Sequence, residues 1–238
     1  MAWTVLATAV LQVVAPIVTI VGPGSSPGAG SGPELLITPV GWAFSIWSVI
    51  YALAIAQAVA VLVRGAGSVS RRLQVDQVVL YAGAAVWIVL AGLDSSLATA
   101  AALIVMLVAG VDAVVTLARD VVEPGWLAVL TLASVGLYAG WVTAACFLNV
   151  STALVDAGAV EADQVGWQLL VLGLAGLALT AVLVLSRGNL AYAAAGAWAM
   201  VGIAVTGQQD GTTEVVVAAL LGLAVVAGAA LALRVRER

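Results

Sequence analysis

Residues 38–51 read Thr38-Pro39-Val40-Gly41-Trp42-Ala43-Phe44-Ser45-Ile46-Trp47-Ser48-Val49-Ile50-Tyr51, a dense run of rings in a 238-residue chain that is only 6% aromatic. On a helix, Phe44, Trp47 and Tyr51 stand at i, i+3 and i+7 and share a face. A second segment spaces Tyr138, Trp141, Ala145 and Asn149 three to four residues apart, again on one face. Rings beside small residues are suited to stacking on a flat apolar molecule, and Asn149 adds one polar contact. Trp42, Phe44, Trp47, Tyr51, Tyr138, Trp141, Ala145 and Asn149 are therefore the expected ligand-binding set. Trp42 also suits an interfacial belt with Trp3, Trp126 and Trp167, all close to the ends of apolar runs.

Little else in the chain has catalytic character. Lysine and histidine are absent and all eight basic residues are arginine. That excludes a retinal Schiff base, a histidine metal site and a histidine general base. The single Cys146 excludes an intramolecular disulfide. No acid–base pair or nucleophile constellation is visible, so neither catalytic residues nor a metal site are expected. Asp112, inside an apolar run, is the one intramembrane charge, suited to a proton or a ligand amine. A plainer reading pairs it with Arg119, seven residues on and on the same helical face. Gln57 reads as an interhelical hydrogen-bonding group.

These residues must be positioned by membrane helices. The chain is 64% hydrophobic and 8% charged, and its mean hydropathy is +1.19. Eight runs approach the length of about 20 residues that crosses a bilayer, at 2–22, 39–63, 74–93, 97–118, 125–150, 166–186, 189–206 and 213–233. The fold class is all-α, a polytopic transmembrane bundle. With eight spans, Arg64, Arg71, Arg72, Arg119, Arg187, Arg234, Arg236 and Arg238 fall on one side, while Glu34, Asp94, Asp156, Glu161, Asp163, Asp210 and Glu214 face the other. The positive-inside rule then places both termini in the cytoplasm, and the plasma membrane is the expected location. Its net charge of −4 argues against a nucleic-acid partner. In this topology Trp47 lies about 12 Å below the outer end of its helix and Trp141 at a similar depth. The two ring faces then line one outer-half cavity between helices two and five, with loop 23–38 as a lid. Gly136 and Gly140 form a small-xxx-small step, suited to close helix packing or to a homodimer face.

The segment Pro39-Val40-Gly41-Trp42-Ala43-Phe44-Ser45-Ile46-Trp47 followed by Tyr51 resembles the second-helix motif of the TspO/peripheral benzodiazepine receptor family, the tryptophan-rich sensory proteins. Tyr138-Ala139-Gly140-Trp141 through Asn149 resembles that family's fifth-helix pattern, a Trp followed eight residues later by Asn. The family's usual third-helix pattern is missing, with Trp87 in its neighbourhood. The resemblance covers residues 1–155 and implies a five-helix membrane domain there, followed by three additional helices over 156–238. It implies a hydrophobic small-molecule partner, a tetrapyrrole or sterol-like ligand, bound between helices two and five. Without histidine an iron-bearing haem lacks its usual axial ligand, so a metal-free porphyrin is the easier tetrapyrrole and no resident cofactor is expected. Transport of a small or lipophilic solute is the alternative function.

Overall fold

The computed structural model describes residues 1–21 and 34–236. Within them lie eight α-helices and no strand: α1 (Ala2–Val21), α2 (Ile46–Arg64), α3 (Arg71–Gly92), α4 (Ser96–Leu117), α5 (Gly125–Asp156), α6 (Val165–Leu185), α7 (Leu190–Gln209) and α8 (Thr213–Arg236). A 3₁₀ turn over Gly41–Ser45 leads into α2. The chain is all-α, as its apolar runs predict. Seven of the helices are long and apolar enough to cross a membrane. The 20 residues of α1 extend about 30 Å, and its Ala2–Ile17 part is apolar but shorter than the seven. Of the expected lid, loop 23–38, residues 23–33 lie outside the described residues.

Local sequence explains where the helices begin and end. Pro39 and the extended Val40, at φ −53° and ψ 145°, hold the chain out of helix before the 3₁₀ turn. Gly65, at φ +100°, ends α2 in a conformation that side chains other than glycine disfavour. Ser70 caps α3 by accepting from the Leu73 amide, and Asn189 caps α7 by accepting from Ala191 and Tyr192. Short connections then return each helix beside an earlier one.

The longest helix, α5, is the axis of the bundle. It packs against α4, α7, α2 and α6, while α3 joins α1 to α4 and α8 covers α6 and α7. Helices α6 to α8 thus complete one bundle with the first five. The glycine step on α5 explains how α7 comes so close: a Cβ at Gly136 would collide with the Asn189 side chain, and one at Gly140 with the Tyr192 carbonyl. Asn189 Nδ2 also donates to the Leu132 carbonyl at 3.3 Å. The small-residue face is therefore filled by a helix of the same chain.

Candidate functional site

The aromatic segments meet around Trp47. Its indole stacks on Trp87 of α3 at 5.9 Å and 28°, and stands edge-on to Trp141 of α5 at 6.3 Å and 88°. Phe44 meets Trp141 at 5.7 Å, also edge-on. Beside these rings lies a small, partly open apolar cavity. Phe44, Trp47, Trp141, Ala145 and Asn149 line it as the sequence suggests. The other walls are Ile37 and Pro39 from the segment before α2, Trp87 of α3, Val171, Leu172 and Ala175 of α6, and Ala199, Met200 and Ile203 of α7. The cavity is wider in origin than the expected space between helices two and five, because α6 and α7 supply one whole side.

Three of the expected ring residues stand elsewhere. Trp42 is 46% exposed and lies edge-on to Trp198 of α7 at 5.1 Å, away from the cavity lining. Two residues apart, Trp42 and Phe44 are separated by about 200° of rotation on an α-helix and about 240° in the 3₁₀ turn, so they leave different faces in either geometry. Tyr51 packs on Trp47 at 5.4 Å, as support behind the wall. Tyr138 is fully buried, in edge contact with Trp47 at 5.9 Å, and its hydroxyl donates to Gln12 Oε1 of α1 at 2.6 Å.

One polar contact belongs to the cavity. Trp87 Nε1 donates to Asn149 Oδ1 at 3.2 Å, and Asn149 Nδ2 donates to the Ala145 carbonyl at 3.0 Å. Asn149 is thus held in one orientation at a wall that is otherwise apolar. Below the rings lies a polar layer that sequence reading caught only at Gln57. Gln77 Nε2 donates to Gln57 Oε1 at 2.7 Å and to the Tyr81 hydroxyl at 3.3 Å. All three residues are buried. Gln12 and Gln77 carry the signal that could have found them, since an amide in an apolar helix seeks a partner on a neighbour.

The segment leading into α2 is strapped to α7. The Val40 amide donates to the Gly202 carbonyl at 3.2 Å, and Trp198 Nε1 donates to the Ala43 carbonyl at 2.8 Å. Ahead of it, Thr38 and Leu35 close a tight turn, with the Thr38 amide donating to the Leu35 carbonyl at 2.9 Å. Ile37, Pro39 and Phe44 of this strap form the cavity wall opposite α5.

Asp112 corrects the expected pairing. Its partner is Arg72, whose Nε donates to Oδ2 at 2.7 Å and whose terminal nitrogen reaches Oδ1. Arg119 lies two turns along and beyond the end of α4, whereas the start of α3 brings Arg72 alongside Asp112 from the neighbouring helix. Asp112 is remote from the cavity lining. Among the described residues no group of three or more acidic or cysteine side chains could hold a metal ion.

A helical bundle with seven helices long and apolar enough to span a bilayer defines a polytopic membrane protein, here with a ring-walled apolar cavity. The family model described as TSPO-like protein matches residues 1–232, into α8, and the chain belongs to that family. No curated protein and no solved structure matches the chain.

Proposed function

We propose that the protein binds or senses a flat, largely apolar ligand, tetrapyrrole or sterol-like in class, in the cavity walled by Phe44, Trp47, Trp87 and Trp141. In this reading the protein sits in the plasma membrane with both termini cytoplasmic, and the cavity opens in the outer half of the bilayer. The arginine distribution supports that orientation. The observation that carries the reading is the convergence of five aromatic side chains, those four and Phe147, and one oriented amide, Asn149, on a cavity otherwise lined by aliphatic groups. Such a surface gives a planar molecule stacking area and one hydrogen bond, and offers no charged side chain as a partner.

The rings stand too close for a ligand to slide between them. Stacked centroids 5.9 Å apart leave less than the roughly 7 Å that two carbon–carbon contact distances require. A planar ligand therefore lies against Trp141 and the α6–α7 side, or parts Trp47 from Trp87.

Titration of detergent-purified protein with protoporphyrin IX, following tryptophan quenching and porphyrin absorbance, tests this beside Trp47→Phe and Trp141→Phe. Saturable binding is expected, weakened about two- to tenfold by each substitution, the range that one aromatic contact supplies. Absence of saturable binding in folded protein, or binding indifferent to both substitutions, would remove the cavity as the site.

A further inference from the structure

The arginine-rich end of α3 and α4 carries a second feature, well away from the cavity. Arg72 and Asp76 stand at i and i+4 on α3 and share a face. That face meets α4, where Arg72 takes both oxygens of Asp112 in a bidentate pair. Asp76 lies on the inner side of the pair. It is only 9% exposed, its Oδ2 has no hydrogen-bond partner among the described residues, and its carboxyl group lies within hydrogen-bonding reach of Asp112.

The charges around it do not balance. Arg72 is committed to Asp112, Arg119 adds a more distant positive charge from the end of α4, and Asp120 in the following turn adds a negative one. Helix α1, packed on another side of α3, has no charged side chain, and only the Met1 amine at its start is ionisable. Two ionised carboxylates are both acceptors and repel each other. They stay in contact when one of them carries a hydrogen to donate.

We propose that Asp76 and Asp112 hold one exchangeable proton between them, a proton site that clasps α3 to α4. With the proton on, an Asp76 O–H donates to a carboxylate oxygen of Asp112. With it off, that O–H bond has broken, the proton has passed to water, and two carboxylates face each other beside one arginine. Asp112 supplies the route to solvent, with a side chain 32% exposed, and Asp76 supplies the buried store. The same helix carries Gln77, bonded to Gln57 of α2, and Trp87 of the cavity wall, so loosening of α3 is transmitted toward the rings.

Infrared spectroscopy of wild-type, Asp76→Asn and Asp112→Asn protein in liposomes, recorded across pH in H₂O and D₂O, tests the site. Subtracting the Asp76→Asn spectrum from the wild type isolates the band. A deuterium-sensitive protonated-carboxyl band worth one group is expected, fading as pH rises, and in Asp112→Asn it should move. Thermal unfolding gives a second readout. Wild-type stability should fall as pH rises through the loss of the shared proton, because the folded state then binds more protons than the unfolded one. Asp76→Asn, whose amide donates to Asp112 at every pH, should show a flatter profile. Identical carboxyl spectra in wild type and Asp76→Asn would overturn the proposal. So would stability restored by sodium at constant pH with no such band, which would make the occupant a metal cation.

Discussion

Gly202→Ala should loosen the strap that walls the cavity. A Cβ at this position would stand 2.9 Å from Ala43 Cβ and 3.0 Å from Pro39 Cβ. Both neighbours are fixed to backbone and cannot swing aside. Forcing one carbon into such a contact costs about 1–3 kcal/mol in the docked state alone. The helix-propensity gain of alanine over glycine, about 1 kcal/mol, acts on α7 whether the strap is docked or not and so leaves the docking ratio unchanged. Gly228→Ala in α8 measures that gain by itself, since nothing lies within 4 Å of its would-be Cβ. The net, about 1–3 kcal/mol against the docked strap, corresponds to a rise of about five- to 150-fold in the undocked population. Hydrogen exchange by mass spectrometry in detergent reads this directly. Peptides over residues 37–45 should exchange at least fivefold faster in Gly202→Ala than in wild type, with peptides from α3 and α4 unchanged. Unaltered exchange over 37–45 together with faster exchange throughout α7 would show that the helix yields and the strap does not, and would refute the reasoning.

Trp87→Phe keeps most of the ring but removes the donor to Asn149, and should cost about 1–2 kcal/mol in detergent unfolding. Adding Asn149→Leu should recover part of that, revealing a coupling of about 0.5–1 kcal/mol between the two sites. Gln57→Leu alone strands the buried Gln77 amide and should destabilise the protein by about 1–3 kcal/mol, whereas Gln57→Leu with Gln77→Leu should be closer to wild type, because both polar groups then leave together. Arg72→Gln should lower thermal stability more than Arg119→Gln, since Arg72 makes the bidentate contact with Asp112. Equal effects in a thermal-shift assay would contradict that pairing.

The helices were legible because a bilayer demands continuous apolar length. Even α7, the weakest run at 189–206, forms as Leu190–Gln209. The expected end of α5 at 150 falls short of Asp156, because hydropathy stops reporting where the helix runs past its apolar part. The aromatic half of the cavity was readable from Phe44, Trp47 and Trp141, large rings at helical spacing in a chain with few rings. Its other half was not. Val171, Ala175, Ala199 and Ile203 are ordinary apolar residues, and nothing in their spacing separates a wall facing a cavity from one facing lipid. Trp42 was drawn into the set by its place in the aromatic run, although it does not share the helical face of Phe44, Trp47 and Tyr51. Asp112 was assigned a partner on its own helix because a single sequence shows spacings along a helix and not the neighbour beside it.

The filled glycine face of α5 has a consequence for how the protein is made. The strap leaves the ribosome with Ser45, but the helix it docks on is complete only at Gln209. At about 5–20 residues per second that interval lasts roughly 8–33 s. For the last 3–14 s of it, roughly, from the synthesis of Gly140 onward, Gly136 and Gly140 lie open and the rings have no α7 wall. Any factor that inserts this chain must keep that seam vacant until α7 arrives, and a nascent chain stopped before α7 should display a bare glycine groove that a cysteine cross-linker can reach.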